Sequence, residues 1–143
     1  MILFLFTTVA AFTASFIAKN FADATLHGHR SLIGSFIGLT YSQNPGIAFG
    51  IRLPDMFQEF FIIVALIFVC YLAWTTAQTT VSRIAYGLIA GGALGNIVDR
   101  IPDGLVTDFF QVGNFPIFNV ADSCVTIGVV LLLAEIIIFG RNK

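Results

Sequence analysis

The chain has 143 residues, of which 57% are hydrophobic and only 10% charged, with a formal net charge of −1. Soluble domains carry about 25% charged residues, so the composition excludes an ordinary soluble protein and indicates a single integral membrane domain over residues 1–143, with a few helical spans. The near-zero charge without a basic run excludes nucleic acid as a partner. Cys70 and Cys124 lie in apolar stretches, read as buried thiols, and bring no ligand cluster for a metal.

Residues 1–18 are apolar and uncharged. A cleaved signal peptide normally opens with positive charge, and this run has the length a span needs, so it reads as a retained first helix. Lys19 to Asp55 is the longest polar segment, with His27, His29 and Arg30 near its start. No third ligand accompanies the histidines, and they read as solvated loop residues. Ser35–Ile51 mixes glycines, β-branched residues and aromatics around Asn44-Pro45-Gly46. That pattern predicts short strands with a turn at Asn44-Pro45-Gly46, forming a small sheet on the membrane surface within roughly 20–54.

The second helix is predicted over roughly 56–74, opened by a capping-box spacing from Asp55 to Gln58 and closed by the interfacial aromatics Tyr71 and Trp74. Glu59 sits in its first turn, where the helix dipole favours a carboxylate. A short polar turn at 75–82 leads to a third helix over roughly 83–98. Its Gly87, Gly91 and Gly95 share one face and predict close helix packing. The fourth helix spans roughly 119–139, with Glu135 near its far end. The reading is therefore an all-α membrane protein of four transmembrane helices with a small β region. Arg83, Arg141 and Lys143 lie on one side, Lys19, Arg30, Arg52 and Arg100 on the other. That count does not decide orientation; the termini are placed in the cytoplasm.

Polar groups crowd into 91–122, where Asn96, Asp99, Arg100, Asp103, Asp108, Asn119 and Asp122 lie between two apolar runs. Charge within or beside a span is costly and marks function. Asn96, Asp99 and Arg100 share a helix face, where Arg100 can pair with a carboxylate or hold a backbone carbonyl. Asp108 and Asp122 flank a loop at one membrane face, from opposite sides. Two carboxylates that meet share a proton, one acting as base on water and the other as acid, the chemistry of an aspartic protease. The same residues fit a plainer account. Asn119-x-x-Asp122 suits a helix N-cap, Asp99 with Arg100 an ion pair, and Asp103-Gly104 a turn. Spacing leaves both open.

Asn96-Ile-Val-Asp99-Arg100, Val106-Thr-Asp108-Phe109 and Phe118-Asn119-Val-Ala121-Asp122, in that order, resemble the signature of the lipoprotein signal peptidases (signal peptidase II). Asn44-Pro-Gly46-Ile-Ala48-Phe49-Gly50 is similar to that family's Asn-x-Gly-Ala-Ala-Phe motif, and Lys19 matches the lysine ending its first helix. The resemblance implies four transmembrane helices with an extracytoplasmic β-cradle, in the bacterial cytoplasmic membrane. It implies an intramembrane aspartic endopeptidase, without cofactor, that cleaves prolipoproteins before the diacylglyceryl-modified lipobox cysteine. By motif, Asp108 and Asp122 form the catalytic dyad; Asn96, Arg100 and Asn119 line the site; Asn44 and Gly46 fall in the substrate-groove motif. Membrane lipids and globomycin-type inhibitors are the further partners it implies. Two positions depart: Ser15 stands where the family usually has aspartate, four residues before the lysine, and Ile47 follows the motif glycine.

Other readings meet obstacles. The intramembrane aspartic proteases with Gly-x-Gly-Asp fail at Asp108, which follows Gly104-Leu-Val-Thr. A proton-coupled carrier would use the same carboxylates but usually shows repeats or charges near midplane, and a structural scaffold has no use for the five polar site residues together.

Overall fold

The computed structural model describes residues 1–46 and 55–139. Ile47–Gly50 of the cradle motif, Arg52, Arg141 and Lys143 lie outside the described residues, as does the side chain of Asp55 on which the expected capping box depends. In chain order the elements are α1 (Ile2–Thr25), β1 (His29–Ile33), β2 (Ile37–Asn44), α2 (Asp55–Thr76), α3 (Thr80–Arg100), β3 (Val106–Val112) and α4 (Val120–Phe139). Four of these are helices long and apolar enough to cross a membrane.

Two helices are longer than their apolar runs. Hydropathy marks where a span meets water, whereas a helix continues as long as its polar turns find partners. In α1 the helix runs on to Thr25 because Lys19 and Asp23, one turn apart, form an ion pair of 2.7 Å. Ala22, and Leu26 just past the end, pack against Phe109 of β3. Helix α3 starts at Thr80 because Thr79 caps it. The Thr79 hydroxyl accepts from the Ser82 backbone N–H at 2.9 Å, and the Ser82 hydroxyl accepts from the Thr79 N–H at 3.1 Å. The Thr79 hydroxyl also donates to Glu135, so the far end of α4 is tied to the start of α3.

Helix α3 is the centre of the bundle. A Cβ on Gly87 would lie 2.7 Å from Thr7 Cβ, one on Gly91 2.7 Å from Ala11 Cβ, and one on Gly95 2.9 Å from Ser15 Cβ. The glycine face thus packs inside the molecule, against α1. On the other side Gly92 meets Ala121 O, and Gly128 of α4 meets Ala85 O. The outward faces are apolar and exposed, as at Phe6, Ile17, Phe68, Trp74 and Ile136, the surface that hydrocarbon covers. Cys70 is on such a face, exposed rather than buried; Cys124 is half-buried.

The sheet is antiparallel, in the order β1-β2-β3. Its hairpin turn lies at Gly34, with φ 54°, and not at Asn44-Pro45-Gly46. That motif instead ends β2, where the Gly46 N–H donates to Asn44 Oδ1 at 2.8 Å. The third strand comes from the segment between α3 and α4. It is reached through a turn in which Gly104 has φ 78° and the Leu105 N–H donates to Asp103 Oδ1 at 3.0 Å. Ser42 of β2 pairs with Asp108 of β3, and Asn44 with Val106. The sheet therefore delivers Asp108 to the extramembrane ends of α1, α3 and α4.

Candidate active site

Asp108 is brought in by β3 and is only 2% exposed. Asn44, two residues along β2 from its strand partner and so diagonal to it on the same face, donates from Nδ2 to Asp108 Oδ2 at 2.9 Å. Asn119 donates from Nδ2 to Asp108 Oδ1 at 2.8 Å and to Asn96 Oδ1 at 3.1 Å. Asn96 in turn donates from Nδ2 to Asp122 Oδ1 at 2.8 Å. Two amides therefore link the two carboxylates, and β2, β3, α3 and α4 each contribute to one polar network.

The helix-cap account of Asn119 and Asp122 also holds. The Asp122 N–H donates to Asn119 Oδ1 at 2.9 Å, and the Asn119 N–H donates to Asp122 Oδ2 at 3.2 Å. The cap and the network are one arrangement: the reciprocal bonds fix Asp122 in the first turn of α4 while its other oxygen faces Asn96. Of the two roles left open for Arg100, the structure shows the hold on a backbone carbonyl and not an ion pair with Asp99. Asp99 accepts from the Thr107 N–H at 2.7 Å and pairs with Lys19 at 3.2 Å. Arg100, 7% exposed, donates to Gly46 O at 2.6 Å. Gln58, also buried, donates to Pro45 O at 3.3 Å. Consecutive carbonyls of the Asn44–Gly46 corner are thereby held from α2 and α3.

Burial pushes the Asp108 carboxyl up to about 6. The Asn44 hydrogen bond opposes this, the negative charge of Asp122 adds to it, and the Asn119 amide and the Arg100 guanidinium oppose it. A carboxyl in that range can hold a proton close to neutral pH, which is what a general acid at a carbonyl requires. A cavity of about 190 Å³, lined among others by Ser15, Lys19, Asn96 and Asn119, opens between α1, α3 and α4 beside the amides. A larger groove of about 430 Å³ runs along α2 and α3, lined by Ile62, Ile63, Ile97 and Ile101, with Glu59 and Arg100 as its polar members.

The seven residues that the resemblance assigns to the site lie in or against this network, whereas Asp103 stays outside it, in the turn before β3. Asp108, Asp122, Asn44, Asn96 and Asn119 form it, and Arg100 reaches it through Gly46. Sequence reasoning missed Asp23, Thr107 and Gln58. The i, i+4 spacing of Lys19 and Asp23 was the available signal, and it counts only on a helix that continues past Ala18.

The sequence pattern of the family described as "Signal peptidase (SPase) II" matches residues 3–138. A "Lipoprotein signal peptidase" of Syntrophomonas wolfei subsp. wolfei is 40% identical over 116 residues, covering 80% of this chain and 77% of that protein. One of Shouchella clausii is 44% identical over 117 residues, covering 78% and 76%. A solved structure described as a "Bacterial membrane enzyme structure by the in meso method at 2.3 A resolution" superposes with a TM-score of 0.84 at 32% identity, covering 96% of this chain and 91% of that one. Matched along nearly its whole length in sequence and in fold, the chain belongs to the signal peptidase II family.

Proposed function

We propose that this protein is an intramembrane aspartic endopeptidase that removes signal peptides from bacterial prolipoproteins, cleaving before the diacylglyceryl-modified lipobox cysteine. The observation that carries the reading is the pair of carboxylates, Asp108 and Asp122, linked through Asn119 and Asn96. Asp108, whose proton burial retains to higher pH, is the acid, and Asp122 is the base. Asp122 takes a proton from water as the water oxygen bonds to the scissile carbonyl carbon, and Asp108 gives its proton to the carbonyl oxygen. In the tetrahedral intermediate the Asp122 proton passes to the leaving nitrogen and the C–N bond breaks. Asp108 recovers its proton from the gem-diol as the carboxylic acid forms, and the amine of the modified cysteine is released. Asn96 and Asn119 hold the dyad, and Arg100 with the Asn44–Gly46 corner borders the substrate groove.

The apolar groove along α2 and α3 suits a substrate whose lipid and signal helix stay in hydrocarbon while the scissile bond reaches the polar rim. The enzyme sits in the bacterial cytoplasmic membrane with the dyad at the extracytoplasmic face, and globomycin-type inhibitors occupy the dyad.

The test is a gel-shift assay of purified protein with a diacylglyceryl-modified lipobox peptide, comparing wild type with Asp108→Asn and Asp122→Asn. Both variants are expected to bind the peptide without turning it over. Cleavage that survives in either means the wrong carboxylate is named. Proton-coupled flux without cleavage by wild type would favour a carrier.

A further inference from the structure

Thr107, the residue before Asp108, is held at two atoms from behind the active face. Its backbone N–H donates to Asp99 Oδ2 at 2.7 Å and its hydroxyl to Asp23 Oδ1 at 3.1 Å. Both carboxylates converge on one ammonium group, with Lys19 Nζ 2.7 Å from Asp23 Oδ2 and 3.2 Å from Asp99 Oδ1. Tyr41 of β2 closes the cluster, its hydroxyl donating to Asp23 Oδ1 at 3.2 Å. Side chains alternate along a strand, so Thr107 points to α1 while Asp108 points to Asn44 and Asn119. A strand pinned on one face cannot roll about its axis, and the carboxylate on its other face is fixed with it.

We propose that Thr107, anchored by Asp23, is a positioning residue that sets the placement of the Asp108 carboxylate; this rests on Asp108 being catalytic. The Lys19–Asp23–Asp99 cluster is then more than a helix-end ion pair. Asp23 lies four residues after Lys19 and can meet α1, β2 and β3 together, which a carboxylate one turn before Lys19, at the level of Gly95, would not do. Ser15 is occupied differently, donating to Ala11 O at 2.8 Å within its own helix. On α1, Lys19 thus takes its carboxylate from Asp23, which also holds Thr107.

The test measures kcat and KM for a diacylglyceryl-modified lipobox peptide in Thr107→Val, Thr107→Ser, Asp23→Ala and Asp108→Asn. Valine keeps the shape and removes the donor; serine keeps the donor. Misplacing a reacting group by an ångström lowers rate far more than binding, so Thr107→Val and Asp23→Ala are each expected to lower kcat roughly tenfold or more with KM within about twofold. Thr107→Ser is expected to restore kcat to within about threefold of wild type, an outcome that requires the hydroxyl rather than the packing. Wild-type kcat in Thr107→Val, a loss confined to KM, or a loss that serine does not restore would each overturn the proposal while leaving the dyad intact. Turnover in Asp108→Asn would instead overturn the site reading beneath it.

Discussion

The Asp108 carboxyl sits between opposing influences of known sign. Burial raises it to about 6, while the Asn44 and Asn119 amides favour its ionised form. An ordinary aspartate titrates near about 3.9, so the proton on Asp108 survives about two pH units further than it would in water. With Asp108 as the acid, kcat/KM, which reports the free enzyme, is expected to fall as pH rises through about 6. Asn44→Ala removes a bond that stabilises the ionised form, so the carboxyl must go higher and the descending limb must move to higher pH, with a lower plateau because the corner at Gly46 is loosened as well. A pH–rate profile from pH 5 to 8 checks the direction; activity that rises rather than falls through about 6 would mean that the ionised form of Asp108 is the active one. The site was largely legible at this scale because charged residues are so scarce in this chain that each marks a function or a cap. What sequence left open was which of the two applied to Asn119 and Asp122, and the two turned out to share the same atoms. Asp23 and Thr107 stayed hidden because their partners are set by strand alternation and by where α1 stops, neither of which hydropathy reports.

At the scale of elements, the lengths of apolar runs gave the number and order of the helices, and errors gathered at their ends. Helix α1 continues through Lys19 and Asp23 because the sheet receives them, and α3 starts early because Thr79 and Ser82 cap each other. Strand β3 could not be placed in the sheet from sequence, since nothing in 105–110 says that its partner is β2, far back in the chain. The Gly87–Gly91–Gly95 repeat was readable as a packing face, but its partner was not. The structure assigns it to α1, and at Gly91 the approach leaves no room. A Cβ there would meet Thr8 O, lie 2.7 Å from Ala11 Cβ and 3.1 Å from Phe12 N. Two of these atoms are backbone and cannot step aside, so helix α1 as a whole must shift. Gly91→Ala is expected to destabilise the fold by about 1–3 kcal/mol, the usual cost of overpacking, seen as a lower midpoint of thermal unfolding in detergent. Gly28→Ala, with nothing within 4 Å of its Cβ, serves as the control and should leave the midpoint unchanged. A midpoint unmoved by Gly91→Ala would mean that α1 and α3 are less closely packed than these distances require.

For the whole molecule, the membrane does much of the specifying. Backbone polar groups in hydrocarbon must bond within their own segment, so four long apolar runs permit little besides four helices, and loops as short as 77–79 force antiparallel neighbours. The side of the membrane is a different matter. Basic residues are too few and too evenly divided to orient the chain, and two of them are spent inside the structure: Lys19 on Asp23 and Asp99, Arg100 on Gly46. They hold the site together whichever way the protein is inserted. On the proposed function the orientation follows from the substrate: a prolipoprotein exposes its lipobox on the far side of the cytoplasmic membrane, which would place Asp108 and Asp122 there. The single span α3 separates the α2–α3 turn from Asp103, which is exposed between α3 and β3, and so places the two on opposite sides. In a protein whose Cys70 and Cys124 are replaced by serine, a membrane-impermeant maleimide is expected to label Asp103→Cys in intact spheroplasts and Gln78→Cys only after lysis. The reverse pattern would invert the molecule and leave the dyad facing the cytoplasm, where this substrate does not present its cleavage site. Equal labelling of both before lysis would break the four-span topology itself, and with it the geometry that lets Asp108 and Asp122 meet at one face.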